Sequence, residues 1–206
     1  MFSQIIHYLT AHYIEVAGFI LGIGYVLLAM KQNVWCWILG IGNVILYIIV
    51  FYDSALYGDM MLQIFYLFMS FYGLYSWLTV KKTVSTKSGS AISTTSKKVW
   101  AGILIFVIVI SISGGYLLSF TDNTIPYWDG ITTALGLAAT WMTAKKLLEN
   151  WLVWIFTDLL CTVLYFYKSL YPTSIFYLIM SILAIIGYYR WRKEINNHET
   201  HSNNRA

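Results

Sequence analysis

Trp151, Trp154 and Asp158 follow the spacing W-x-x-W-x-x-x-D, which places all three on one face of a helix. Two indoles and a carboxylate on one face can hold a cationic aromatic ring, the indoles by stacking and the carboxylate by charge. A cation–π contact to tryptophan contributes ~0.5–2 kcal/mol. Asp158 lies seven residues past Trp151, ~10 Å further along the helix at ~1.5 Å per residue. Inside a bilayer, a carboxylate at that depth costs ~2.5–3.5 kcal/mol even on the lenient insertion scale, so it faces a cavity or a partner. The alternative reading makes the tryptophans interface anchors and Asp158 a hydrogen-bond partner inside a bundle.

Gln63, Tyr66, Ser70 and Trp77 form a second face, and Tyr177, Ser181 and Tyr188 recur at similar spacing near the C-terminus. Gln63 is costly in lipid unless paired. For both groups, interhelical hydrogen bonding and ligand binding stand as equal readings. Asn43 reads first as interhelical glue and second as a ligand contact. Thr132, Gly136 and Thr140, with Thr133 and Thr143 nearby, make a small polar stripe, as do Gly18, Gly22 and Tyr25; both read as close packing. Cys36 and Cys161 sit in apolar runs without a CxxC pattern, so neither a disulfide nor a zinc site is expected. His198 and His201 lie in a polar tail where no metal site is expected. The chain has no GxGxxG, P-loop, HExxH or GxSxG pattern. No enzyme activity and no cofactor are expected. The seventh apolar segment has no lysine to form a Schiff base.

The elements that position these residues follow from composition. Of 206 residues, 59% are hydrophobic and 11% charged, against roughly 25% charged in a soluble domain. Mean hydropathy is +0.65. So few charges cannot coat a chain for water, and lipid is the expected partner of its surface. The aromatic share of 18% fits rings at membrane interfaces. A bilayer core needs ~20 apolar residues per helix. Seven segments qualify: Ile14–Met30, Val34–Phe51, Leu56–Leu78, Val99–Phe120, Tyr127–Ala144, Trp151–Tyr167 and Thr173–Trp191. The fold class is an all-α integral membrane protein. Residues 1–13 form an external segment without Lys or Arg, so no secretory signal peptide is expected. A first three-helix repeat spans 14–78, a polar loop 79–98, a linker helix 99–120, a second repeat 127–191 and a polar, mobile tail 192–206. The Ser-, Thr- and Lys-rich stretch Lys81–Lys98 reads as flexible.

Charge placement sets orientation. Loops on one side carry Lys31, Lys81, Lys82, Lys87, Lys97, Lys98, Lys145, Lys146, Arg190, Arg192, Lys193 and Arg205, which is 12 of the 13 basic residues. The other side has Lys168 with Glu15, Asp53, Asp59, Asp122 and Asp129. Basic loops stay in the cytoplasm, which puts the N-terminus out and the C-terminus in. The net charge of +4 is thus a topological signal beside anionic lipid, and no nucleic-acid partner is expected.

The sequence also repeats. Trp37-Ile-Leu-Gly-Ile-Gly-Asn43 through Tyr47 is echoed by Trp154-Ile-Phe-Thr-Asp158 through Tyr165. Phe65-Tyr-Leu-Phe-Met-Ser70 is echoed by Phe176-Tyr-Leu-Ile-Met-Ser181, and Gly73-Leu-Tyr-Ser-Trp77 by Gly187-Tyr-Tyr-Arg-Trp191. Three helices plus one linker helix is an even offset, so the halves are expected to be parallel repeats with a substrate site between them. The first half has Trp35-Cys-Trp37 instead of W-x-x-W and no counterpart to Asp158, so the second half is expected to dominate ring recognition.

The run Glu149-Asn-Trp-Leu-Val-Trp154-Ile-Phe-Thr-Asp158 resembles the W-x-x-W-x-x-x-N/D signature of the nicotinamide riboside transporter family, PnuC. Leu62-Gln63-Ile-Phe-Tyr66 and Tyr72-Gly73-Leu-Tyr-Ser-Trp77 resemble its third helix, and the similarity runs from about Glu15 to Trp191. The resemblance implies a 3+1+3 fold, often a homotrimer, in a bacterial inner membrane. It implies uptake of nicotinamide riboside by facilitated diffusion, with trapping by a cytoplasmic kinase. Trp151 and Trp154 would flank the pyridinium ring, with Asp158 and Gln63 as polar contacts. Relatives carry thiamine or riboflavin, and Asp158 suits thiamine as well as nicotinamide riboside.

Overall fold

A computed structural model describes residues 13–53, 57–84, 91–121 and 125–203. The expected external segment 1–13 falls outside these residues except for Tyr13. Seven helices form the described chain: α1 (Tyr13–Met30), α2 (Trp35–Asp53), α3 (Tyr57–Val84), α4 (Lys97–Leu118), α5 (Pro126–Ala144), α6 (Asn150–Tyr167) and α7 (Tyr171–Asn203). Five of them, α2, α3, α4, α6 and α7, contain stretches long and apolar enough to cross a membrane. The protein is all-helical, as its composition requires, and apolar side chains such as Leu104, Ile105, Ile112 and Leu117 on α4 point outward to lipid.

Helix α5 is not among the five, and its surroundings explain why. It packs against both α4 and α6. Its buried face is built from Gly130, Ala134, Gly136, Ala138, Ala139, Thr140 and Thr143. A helix walled by protein is selected for small residues that let backbones approach, not for hydropathy. At Gly130 a methyl group would come within 2.7 Å of the Ser111 carbonyl oxygen, so α4 and α5 cross there in backbone contact.

Two compact units make up the chain, one ending at Leu78 and the other starting at Thr79. In the first, α1 packs on α2, and α2 meets α3 through Trp37 and Trp77. In the second, α4, α5, α6 and α7 pack in sequence order.

Three helices end in the same way. Gln32, Lys146 and Ser169 have φ of 51°, 53° and 61°, the left-handed conformation that closes a helix. After α1, Gln32 N–H donates to Ala29 O at 2.9 Å and Asn33 N–H to Leu28 O at 2.9 Å. After α5, Lys146 N–H donates to Thr143 O at 3.0 Å and Leu147 N–H to Met142 O at 3.0 Å. Cys36 N–H to Asn33 O and Trp37 N–H to Val34 O recur as Asn150 N–H to Leu147 O and Trp151 N–H to Leu148 O. Every one of these bonds reappears 114 positions later.

Two expectations are corrected. The tail beyond Trp191 is not a loose end: α7 continues as helix to Asn203. Arg192 donates to the Tyr188 hydroxyl at 3.0 Å, one turn back. The stretch 81–98 is not uniformly a flexible loop. Helix α3 runs on to Val84, and residues 91–96 are pinned to the α5–α6 turn by Ser93. Ser96 then caps α4, its hydroxyl accepting from Val99 N–H at 3.4 Å. Residues 85–90 lie outside the described chain.

Candidate functional site

Helix α6 carries the Trp151, Trp154 and Asp158 face, and its neighbours treat the three residues differently. Trp151 is buried against α7, edge-on to Trp191 at 5.4 Å between ring centroids and 88° between planes. It lies directly over Gly187, where an added methyl group would come within 2.7 Å of the indole. The absent side chain at Gly187 is what admits the ring. Trp154 is half-buried and turns to α5. Its indole N–H donates to the Thr143 hydroxyl at 3.3 Å. Thr143 Oγ1 also lies 2.8 Å from Ala139 O and 3.1 Å from Asn150 Oδ1, so its hydrogen serves those two acceptors. Asn150 is fully buried and donates to Leu147 O at 2.6 Å. Trp154 thus sits at the end of a short polar chain that starts at the first residue of α6.

Asp158 is 6% exposed, and its carboxylate has no hydrogen-bond or ion-pair partner among the described residues. A carboxylate in so shielded a residue, without a donor, is costly to hold. Three contacts fix the antiparallel register of α6 and α7. Ser174 Oγ donates to Thr162 O at 2.8 Å, Tyr165 stacks on Tyr177 at 5.3 Å, and Trp151 meets Trp191. In that register Ser181, 2% exposed, is level with Asp158. Tyr177 is committed to its stack with Tyr165 nearer the far end. There Lys168 reaches Asp129 at 3.9 Å, a half-buried pair at the limit of ion-pair distance.

The first unit holds Asn43, Gln63, Tyr66 and Ser70. Asn43 Nδ2 donates to Gly18 O at 2.5 Å, joining α2 to α1, which is the glue role its sequence position pointed to. Ser70 donates back to Tyr66 O at 2.8 Å. Gln63 and Tyr66 are half-buried on α3. Among the described residues no group of three or more His, Cys, Asp or Glu is placed to hold a metal, and His198 is exposed. His201 has no described side chain.

The structure also corrects the pairing of the echoes. Trp37 lies edge-on to Trp77 at 5.6 Å and 90°, over Gly73. Trp151, Trp191 and Gly187 repeat that arrangement, each residue 114 positions on. Trp37 therefore matches Trp151, not Trp154, and the positions matching Trp154 and Asp158 are Gly40 and Val44. The indole nitrogens of Trp37 and Trp151 are both buried without a partner. Their shared role is to key two helices together. Sequence reading missed Thr143 as the partner of Trp154, and Asn150 and Glu149 as anchors at the start of α6. The signal was present: two polar residues directly before a tryptophan at a helix start.

A profile of the nicotinamide mononucleotide transporter family matches residues 12–193. The chain is 24% identical over 202 residues to the nicotinamide riboside transporter PnuC of Escherichia coli (strain K12), an alignment covering 87% of this chain and 84% of that one. It is 25% identical over 191 residues to the protein of the same name from Neisseria mucosa, covering 86% of this chain and 71% of the relative. Its fold is similar to the crystal structure of a vitamin B3 transporter PnuC, with TM-score 0.73, 20% identity, and coverage of 95% of this chain and 87% of that one. The profile match spans nearly the whole helical array, including both indoles and the lone carboxylate on α6, and the chain belongs to the nicotinamide mononucleotide transporter family of multi-pass membrane proteins, which are transporters and not enzymes.

Proposed function

We propose that this protein takes up nicotinamide riboside across a bacterial inner membrane by facilitated diffusion, with a cytoplasmic kinase trapping the product. The observation that carries the proposal is Asp158, buried and without a donor among the described residues, on the helix that presents Trp151 and Trp154. A fixed positive charge on an aromatic ring is the ligand that repays such a carboxylate. Trp154 supplies the ring contact, with Trp151 behind it keyed into α7. Ser181 is level with Asp158 and supplies a hydroxyl. Tyr177, stacked on Tyr165, is proposed as a further aromatic contact on α7, and Gln63, Tyr66 and Asn43 are proposed as candidate contacts of the first unit taken by itself.

The names of the relatives support the riboside, and the charge pattern separates it from the mononucleotide of the family name. Helices α5 and α6 contain no Lys or Arg. A phosphate beside Asp158 would add like charge to an already costly carboxylate, whereas the riboside brings only the cation. Thiamine also pairs a cationic ring with a hydroxyl and is the second substrate to test.

The proposed architecture is a duplicated 3+1+3 array of seven spans, assembled as a homotrimer, with the N-terminus out and the C-terminus in. The set of turn bonds repeated 114 positions apart supports the duplication. Uptake of labelled nicotinamide riboside, thiamine and riboflavin into proteoliposomes tests the function. Saturable riboside uptake that stops at equal concentrations is the expected result; no saturable uptake of any of the three sinks the reading.

A further inference from the structure

Residues 91–96, between α3 and α4, form a strap across the start of α6. Ser93 N–H donates to Lys146 O at 3.1 Å, and Leu148 N–H donates to Ser93 O at 2.9 Å, making a parallel β-bridge to the α5–α6 turn. Ile92, beside it in sequence, is buried. Two residues on, one oxygen of the Glu149 carboxylate accepts both from Thr95 N–H at 2.8 Å and from Thr95 Oγ1 at 2.6 Å. Two donors on one carboxylate make a strong, charge-assisted contact.

The turn itself does not need the strap. The α1–α2 turn makes the same backbone bonds, and among the described residues it carries no such bridge. The residue in the place of Glu149 there is Trp35, which is exposed. What the second unit has and the first lacks is Trp154 and Asp158, one and two turns further along. Glu149 adjoins Asn150, Asn150 meets Thr143, and Thr143 accepts the Trp154 indole N–H. Strap, helix start and indole form one connected chain.

We propose that Glu149 is a positioning residue for Trp154: with Thr95 it clamps the start of α6 so that Asn150 and Thr143 hold the indole in one orientation. The role rests on the reading of Trp154 as a ring contact for the substrate. Its mechanical half does not depend on any ligand. The purified full chain carrying 5-fluorotryptophan is examined by fluorine NMR without ligand, with the Trp154 signal assigned by its loss in Trp154→Phe. Glu149→Ala and Thr95→Val shift or broaden that signal, Thr95→Ser restores it, and the Trp35 signal does not move. In binding, Glu149→Ala raises the Kd for nicotinamide riboside about tenfold, the scale of one charged hydrogen bond. The same change adds nothing in a Trp154→Phe background.

An unmoved Trp154 signal in both Glu149→Ala and Thr95→Val overturns the proposal. So does an equal loss of affinity with and without Trp154, since Glu149 would then only fasten the strap. If the unaltered protein binds no nicotinamide riboside, the functional reading fails while the fluorine measurement still decides the positioning. Thr95→Val removes one hydroxyl and serves as the milder variant should Glu149→Ala fold poorly.

Discussion

Asp158 is the residue whose environment demands an explanation beyond folding. Most other buried polar side chains of its unit find local partners, Ser111 Oγ and the Trp151 indole nitrogen being the exceptions among the described residues. Thr140 donates to Gly136 O and Thr157 to Val153 O, each at 2.8 Å, Thr143 donates to Asn150 Oδ1 at 3.1 Å, and Asn150 donates to Leu147 O at 2.6 Å. Asp158 has only its backbone oxygen engaged, by the Thr162 hydroxyl at 2.7 Å. Replacing its charge while keeping its shape isolates the electrostatic contribution. Asp158→Asn is expected to weaken nicotinamide riboside and thiamine binding by at least about tenfold, the scale of a charged hydrogen bond, and to leave riboflavin unchanged. A binding panel on purified protein reads the difference, and an equal loss for all three vitamins rejects the charge-recognition role. Relieved of an unpaired charge, the variant should also be no less heat-stable than the parent. Thr143→Val is the complementary change. It removes the acceptor for the Trp154 indole without altering volume much, and should weaken ring binding roughly fivefold, about one neutral hydrogen bond. The measured Kd for riboflavin alongside nicotinamide riboside shows whether the loss follows the ring or the charge.

Among the elements, one of the contacts that set α6 against α7 is a single residue on a single residue. Trp151 fits because position 187 has no side chain. Gly187→Ala places a methyl group 2.7 Å from the indole, and either the ring or the helix has to move. Overpacking of this kind costs about 1–3 kcal/mol. The expected result is a lower melting temperature in detergent, partly recovered by Trp151→Leu in the same chain; no recovery would show that the clash is not with the indole. This contact also shows what the sequence makes legible. The seven helices were readable because each apolar run is bounded by charge, and spacing alone singled out Trp151, Trp154 and Asp158 as candidates on one helix, though not that Trp151 would turn to α7 and Trp154 to α5. The register of the echoes was not readable, because tryptophans recur along one helix at more than one spacing, whereas Trp37 and Trp151 correspond through Gly73 and Gly187 on the next helix. The helix-closing turns were hidden for a related reason. Gln32, Lys146 and Ser169 occupy left-handed positions where glycine is the usual signal. The strap was hidden because its β-bridge uses backbone atoms, which leave no side-chain pattern. The extension of α7 was hidden because counting apolar residues finds where a helix leaves the membrane, not where it stops. Arg, Lys and Glu beyond Trp191 are good helix formers in water.

At the scale of the molecule, charge should decide how the array sits in the bilayer. The long ends of α3 and α7 and the α5–α6 turn carry basic residues, while the α6–α7 turn presents Lys168 paired with Asp129. If basic loops are retained in the cytoplasm, Lys145 and His198 face inward and Ser169 faces outward. Both native cysteines are buried, so they make a quiet background for labelling, and Cys36→Ser with Cys161→Ser removes them altogether. Single cysteines are then placed at Lys145, Ser169 and His198, and intact cells are treated with a membrane-impermeant maleimide. Only the Ser169→Cys protein should react before the membrane is opened, and all three afterwards. Reaction of Lys145→Cys or His198→Cys in sealed cells would invert the assignment. The same orientation gives transport a direction to test. A passive carrier exchanges substrate equally both ways, so preloaded unlabelled nicotinamide riboside should accelerate entry of the labelled compound, and dissipating ion gradients should leave the initial rate unchanged. Loss of uptake on adding an ionophore would instead require coupling to an ion. In that case Asp158, buried and without a partner among the described residues, is the first carboxylate to examine.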